Sequence, residues 1–205
     1  FFGISLLFLV TGESLMAAGY GFPAAAVEAP ETLVLVHLGA IGWLSLLMCG
    51  ALFQFVPVLV AKPLRRASPG LPAFACPSVG LAFLLGGFQQ LAGTLDEGPP
   101  FLLLGGCLLP LGFALVIWIL GETLWYARPL PLPARFVAVG LVSLAATAAF
   151  GSLFSHLLAG LVSSEALSAR LNRLVTLHAA FGVGGWLTFS AIGVSYRLLP
   201  MFMLS

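Results

Sequence analysis

Three histidines, His37, His156 and His178, are the side chains of this chain best suited to bind a metal ion or a haem iron. Neutral imidazole is the commonest metal ligand in proteins, and two axial imidazoles can hold a haem iron from opposite faces. Each histidine lies 20 to 22 residues from the inner end of the apolar segment that contains it. At ~1.5 Å per residue this separation is roughly 30–33 Å in a helix, so we expect the three imidazoles at one depth.

Equal depth is compatible with three kinds of site. The histidines can ligate a shared haem, or they can form a non-haem metal site by themselves. Alternatively, each imidazole lies close to the lipid headgroups and forms a hydrogen bond with a neighbouring helix. An ionisable side chain inside a membrane span is rare and usually faces the interior of the bundle, which favours a functional role.

Three other polar residues lie inside apolar segments. Glu13 is suited to a proton relay or to ligand binding, or it is a protonated carboxyl that forms a hydrogen bond with a neighbouring helix. Gln89 and Gln90 lie in the middle of a later segment. We interpret both glutamines as residues that form hydrogen bonds between helices.

The composition excludes a soluble domain. Of 205 residues, 60% are hydrophobic and only 7% are charged, whereas a soluble domain carries roughly a quarter of its residues as charged side chains. The net charge of +1 and the lack of a long basic run also argue against a nucleic-acid partner. The lipid bilayer is therefore the expected surrounding of this chain.

The segments that bear these residues are long enough to cross a membrane as helices, which takes ~20 mainly apolar residues. Strands are excluded because these runs are apolar on all sides, whereas barrel strands alternate polar and apolar residues. The sequence predicts an all-α integral membrane protein, with residues 1–205 forming one transmembrane helical domain. Six spans are predicted, at about 2–20, 33–60, 78–95, 101–126, 136–162 and 174–202.

The distribution of charge predicts the orientation of the spans. Six basic residues fall on one side of the membrane if the spans alternate, and only Arg170 and Arg173 fall on the other. Because basic residues favour the cytoplasmic side, the first span is expected to begin inside. The six are Lys62, Arg65, Arg66, Arg128, Arg135 and Arg197.

An internal repeat relates the second and sixth predicted spans. Residues 43–57 and 186–200 both have Trp, Gly and Pro at seven-residue intervals, so the repeat has a period of four helices. His37 aligns with Ala180 in this register, and His178 lies two positions earlier. Two residues correspond to ~200° around a helix, so the two histidines are expected to leave equivalent helices from opposite faces.

These two segments resemble helices of the haem-copper oxidase subunit I superfamily, which includes the nitric oxide reductases. The segment from His37 to Pro57, ending Phe-Gln-Phe-Val-Pro, resembles the second helix, whose outer-leaflet histidine is an axial ligand of the low-spin haem. The sixth span resembles the tenth helix, which begins with a His-x-His pair, although Ala180 replaces the second histidine. The matching positions are His178, Gly182, Gly185, Trp186, Gly193, Tyr196 and Pro200.

The resemblance implies a b-type haem with His37 as one axial ligand and His178 or His156 as the other. It places Arg170 and Arg173 where charge-assisted hydrogen bonds to haem propionates are expected, although a solvated loop is the alternative. The oxygen-reducing copper chemistry of the superfamily is not expected, because three histidines cannot supply the ligands of a copper ion and two haems.

The implied role is electron transfer or gas sensing in a bacterial cytoplasmic membrane, with an electron-donor protein or another membrane subunit as partner. The chain would correspond to about half of a twelve-span protein, and its first residue, Phe1, agrees with a fragment. The alternative is a cofactor-free transporter or scaffold subunit, in which Glu13, Gln89 and Gln90 line a polar path.

Overall fold

The computed structural model describes residues 1–66, 68–96, 98–162 and 165–203, and all regular structure in these ranges is helical. Two of the helices contain a stretch of π-helix, here called π1 and π2, in which the backbone turn is wider than in an α-helix. The elements are α1 (Phe2–Ala17), α2 (Pro30–His37), π1 (Leu38–Ser45), α3 (Leu46–Val60), α4 (Gly70–Leu91), α5 (Phe101–Tyr126), α6 (Leu132–Leu158), α7 (Glu165–Ser168), α8 (Leu171–Ala179), π2 (Ala180–Leu187) and α9 (Thr188–Met203).

Five helices within the described residues are long and apolar enough to cross a membrane. The chain therefore has the make-up of an all-helical, multi-pass membrane protein. Helix α1 is apolar but has only 16 residues, about 24 Å of helix against the ~30 Å of a hydrocarbon core. The first of the six predicted spans, at about 2–20, is therefore not confirmed. The five spanning helices are Pro30–Val60, Gly70–Leu91, Phe101–Tyr126, Leu132–Leu158 and Leu171–Pro200.

Helix α4 begins eight residues earlier than the predicted span, which started at residue 78, and it contains Pro77. The proline-rich stretch before residue 78 reads as a connector, because proline removes a backbone donor and usually interrupts a helix. Here Pro77 is buried against Gly112 of α5, where a side chain on the glycine would collide with the proline ring. The contact between the two helices keeps the proline inside the helix, as membrane bundles allow.

Close helix contacts through glycine hold the centre of the bundle together. A Cβ atom at Gly80 of α4 would lie 2.8 Å from the backbone nitrogen of Leu109, and one at Gly105 of α5 would lie 2.8 Å from that of Leu84. The backbones of α4 and α5 thus touch at two points. Small residues are favoured at such crossings because, without a hydrophobic driving force inside lipid, packing contacts carry the association.

Two further crossings resemble each other. Gly42 of π1 packs against Phe8 of α1, and Gly50 of α3 packs against Phe1 directly before α1, with prospective Cβ atoms 2.7 Å from each side chain. Gly185 of π2 and Gly193 of α9 pack against α6, with prospective Cβ atoms 2.5 Å from the Ser143 side chain and 2.7 Å from the Pro133 carbonyl oxygen. A shift of 143 positions relates the first pair of glycines to the second. In each case the glycines belong to a spanning helix, and the helix packed on them is the long helix that precedes it in the chain. This helix is α1 in the first case and α6 in the second.

The last span lies at an open side of the bundle. Helix α8 has no buried residue among those described, and a groove of about 570 Å³ runs along α9 between Thr188 and Pro200. The exposed residues of this span are largely apolar, with Leu199 59% exposed. This side therefore presents an apolar surface.

Candidate functional site

His37 is the last residue of α2, immediately before π1. Its Nδ1 lies 2.8 Å from the carbonyl oxygen of Leu33, and its ring contacts Phe88 of α4, with centroids 5.1 Å apart. A carbonyl oxygen only accepts hydrogen bonds, so Nδ1 donates and carries the proton of the neutral imidazole. The lone pair is then on Nε2, which is the arrangement of a metal-ligating histidine held by a backbone carbonyl.

His178 lies in α8, two residues before π2, and leans against α6. Its Nδ1 is 3.1 Å from the carbonyl oxygen of Thr147, and Phe154 packs edge-on to its ring at 5.6 Å. Gly151 leaves room for the ring, because a Cβ atom there would lie 3.3 Å from the Cε1 atom of His178. By the same reasoning as for His37, Nδ1 carries the proton and Nε2 bears the lone pair.

His37 and His178 lie in the α-helices that lead into π1 and π2. Their imidazoles are close enough to interact electrostatically. Between π1 and π2, Trp186 Nε1 donates a hydrogen bond of 3.1 Å to Ser45 Oγ, and both side chains are buried. Stretches of π-helix are rare and occur frequently at functional sites. His37 and His178 thus each lie just before one of two π-helical segments that contact each other.

Equivalent hydroxyl groups support the wider turns of the two π-helices. Ser45 donates to the carbonyl oxygen of Ala40 at 2.7 Å, and Thr188 donates to that of Val183 at 2.8 Å. Each bond reaches back five residues, as the π-helical backbone does. The same shift of 143 positions relates the two donors and the two acceptors.

His156 points elsewhere. Its Nδ1 lies 2.7 Å from the carbonyl oxygen of Ser152, and its Nε2 is 3.9 Å from the thiol of Cys107 on α5. Phe154, whose ring contacts His178, lies two residues before His156 on α6. Two residues correspond to ~200° around a helix, so His156 faces away from His178. Among the described residues no three His, Cys, Asp or Glu side chains come together as metal ligands. The described residues therefore do not form the three-histidine metal site.

A polar pair lies near His37. The hydroxyl of Tyr20 and Oε1 of Gln89 are both buried and lie side by side, but neither has a hydrogen-bond partner among the described residues. Burial raises the pKa of Tyr20 above its usual value; contact with Gln89 opposes this shift and the charge of Glu31 adds to it. The interhelical hydrogen bond predicted for Gln89 stays a prediction, and Gln90 is half-buried beside it.

The remaining predicted residues lie at the surface. Glu13 is exposed on α1, and none of the hydrogen bonds of the described region involves its carboxylate. Its predicted hydrogen bond to a neighbouring helix is thus not seen there. Arg170 and Arg173 are exposed at the start of α8, and within the described ranges neither forms an ion pair.

Sequence reasoning missed Glu122, a carboxylate near the end of α5. Its side chain is only 15% exposed, accepts a hydrogen bond from Arg66 Nε at 2.7 Å, and lies 3.6 Å from Arg65 Nε. Glu122 falls inside a run of apolar residues that was read simply as a span. The sequence signal that could have indicated it is the pair Arg65 and Arg66, because two neighbouring cations favour a carboxylate nearby in the fold.

Comparison of the chain with protein-family models, curated proteins and solved structures gave no match. The candidate site is therefore defined by the geometry of His37 and His178.

Proposed function

We propose that this chain binds a b-type haem whose iron is ligated by His37 and His178. The observation that carries the proposal is the shared state of the two imidazoles. In both, a backbone carbonyl holds Nδ1 and leaves the lone pair of Nε2 free, and each histidine lies just before one of the two π-helical segments that contact each other. No C-x-x-C-H motif is present for covalent attachment, which favours a haem held by its axial ligands alone.

The donor set fits a haem iron. Neutral imidazole is a usual axial ligand, and a carbonyl that accepts from Nδ1 fixes the ring and raises the basicity of Nε2. Phe88 and Phe154 pack against the two rings and limit access of water. Neither the groove along α9 nor the α5–α6 groove described below is lined by a histidine. The haem would therefore bind outside both grooves, with Arg170 and Arg173 as candidate partners of its propionates.

Electron transfer is the role that this ligation favours. A haem supplies reversible one-electron chemistry, and two protein ligands leave no open position on the iron for a gas molecule. The side chains around the two imidazoles then hold the ligands in place and keep the surroundings apolar, which tunes the potential. An electron-donor protein or another membrane subunit is the partner that such a role requires.

We further infer that the chain contains a repeat of four-helix period and that α1 serves as a sixth span. Three features support this inference: the paired glycine crossings, the paired hydroxyl bonds of Ser45 and Thr188, and the prolines inside α3 and α9. This architecture is the one that the resemblance to the haem-copper oxidase subunit I superfamily implies. The excess of basic residues in the connectors of one side supports the further proposal that this side, and the start of α1, face the bacterial cytoplasm.

The test is a reduced-minus-oxidised absorption spectrum of the chain purified from a haem-replete host. The wild type is expected to show a haem spectrum, and His37→Ala and His178→Ala are each expected to lose it. His156→Ala is the matched control, because this histidine also has Nδ1 on a carbonyl but faces Cys107. A colourless wild type, or a haem spectrum that survives both His37→Ala and His178→Ala, would overturn the proposal.

A further inference from the structure

A groove of about 280 Å³ lies between α5 and α6, near the end of the bundle where α5 stops and α6 begins. It opens to the outside, because Trp125 and Val142 in its wall are 60% and 72% exposed. Apart from Arg128, the wall consists of apolar side chains and glycine. Its central residues are Gly121, Leu124 and Trp125 of α5 with Leu141, Val142 and Ala145 of α6.

Arg128 lies at the polar end of this groove. Its guanidinium group stacks on the ring of Trp125 at 3.6 Å from the centroid, and it has no carboxylate partner within the described ranges. The nearby carboxylate of Glu122 is already paired with Arg65 and Arg66. The positive charge of Arg128 is therefore not neutralised by the described part of the protein.

Arg135 adds a second unpaired charge. Its Nε donates to the carbonyl oxygen of Leu130 at 3.0 Å, and Leu130 also lines the groove. This bond uses one of the five N–H donors of the guanidinium, and the others remain available for an anion. An apolar groove on a membrane-exposed surface thus ends beside two arginines that no described carboxylate neutralises.

We propose that the α5–α6 groove binds one anionic glycerophospholipid. The lower part of an acyl chain lies along the apolar wall, and the headgroup phosphate lies against Arg128 and Arg135. Arginine presents a planar fork of donors that matches phosphate, and basic pockets between transmembrane helices bind anionic headgroups. The charge selects an anionic lipid over a zwitterionic one, and the groove selects a lipid over a free phosphate ion.

Native mass spectrometry of the purified full chain, titrated with phosphatidylglycerol or with phosphatidylcholine of the same acyl chains, tests the proposal. The wild type is expected to retain one phosphatidylglycerol with about a thirtyfold preference, the size expected from two arginines near the phosphate at about fivefold each. Arg128→Gln should remove most of this preference. Gly121→Leu should weaken the binding of both lipids, because a Cβ at Gly121 meets no atom within 4 Å and the larger side chain would fill the groove.

Arg197→Gln is the control for general surface charge, since Arg197 is also exposed but lies on α9, away from this groove. It should keep the preference of the wild type. Circular dichroism verifies that each variant is folded before lipids are counted. Three results would each contradict the proposal: no preference in the wild type, an equal loss in Arg128→Gln and Arg197→Gln, or unchanged binding in Gly121→Leu.

Discussion

Trp186 donates a hydrogen bond from its indole nitrogen to the hydroxyl of Ser45 across 3.1 Å, although 141 residues separate them in the chain. Both side chains are buried, with Trp186 only 1% exposed. The bond joins π1 to π2, the two segments that directly follow the helices bearing His37 and His178. It therefore ties together the two spans that carry the candidate haem ligands.

Ser45→Ala should lower the free energy of unfolding by about 1–3 kcal/mol, because it leaves the buried indole N–H without its partner. The measurement is thermal unfolding in detergent, followed by circular dichroism. Thr188→Ala is the matched control: Thr188, the first residue of α9, donates the equivalent hydrogen bond back into π2, but it is exposed and should change stability by less than about 0.5 kcal/mol. Equal effects of the two substitutions would show that the bond to Trp186 contributes nothing.

Gly105→Ala should destabilise the bundle by about 1–3 kcal/mol, because the added Cβ meets backbone atoms of α4 that cannot move aside locally. Gly121→Ala, in the same helix, has open space at the corresponding position. It should be neutral or up to about 1 kcal/mol stabilising, since alanine favours helix more than glycine. Unfolding in detergent measures both variants, and equal stabilities would contradict the packing of α4 on α5.

The helical class of the fold and five of its membrane helices follow from the hydropathy of the sequence, because a lipid-exposed backbone must satisfy its own hydrogen bonds. The start of α4 did not follow. It depends on the contact between Pro77 and Gly112, which lie on different helices, and no local rule contains that contact. The exposure of Glu13 likewise depends on which face of α1 meets the bundle.

The sequence identified the three histidines as candidate ligands, but it did not indicate which of them would lie together. His37, His156 and His178 are visible in the sequence as the imidazoles of apolar segments. The separation of His156 from the other two follows from its position on α6, where it faces Cys107. The π-helices had no sequence signal that we recognised, because glycine-rich apolar segments are equally compatible with an α-helix. Ser45 and Thr188 at equivalent positions are a signal that can be sought in other chains.

The orientation of the bundle can be tested by cysteine labelling in a cysteine-free background. Thr94→Cys lies in the connector after α4, and Ser68→Cys lies in the basic connector before it. Because basic connectors stay in the cytoplasm, a membrane-impermeant maleimide added to intact cells should label position 94 and should label position 68 only after permeabilisation. The reverse pattern would place the α5–α6 groove in the outer leaflet.

Ligand rescue tests the haem proposal most directly. His178→Gly removes one imidazole, and added free imidazole can take its place at the iron, whereas His156→Gly removes an imidazole that faces Cys107. The absorption spectrum should change in His178→Gly, return to that of the wild type with millimolar imidazole, and remain unchanged in His156→Gly. A spectrum that does not respond to the loss of His178, or one that changes only in His156→Gly, would contradict ligation by His37 and His178.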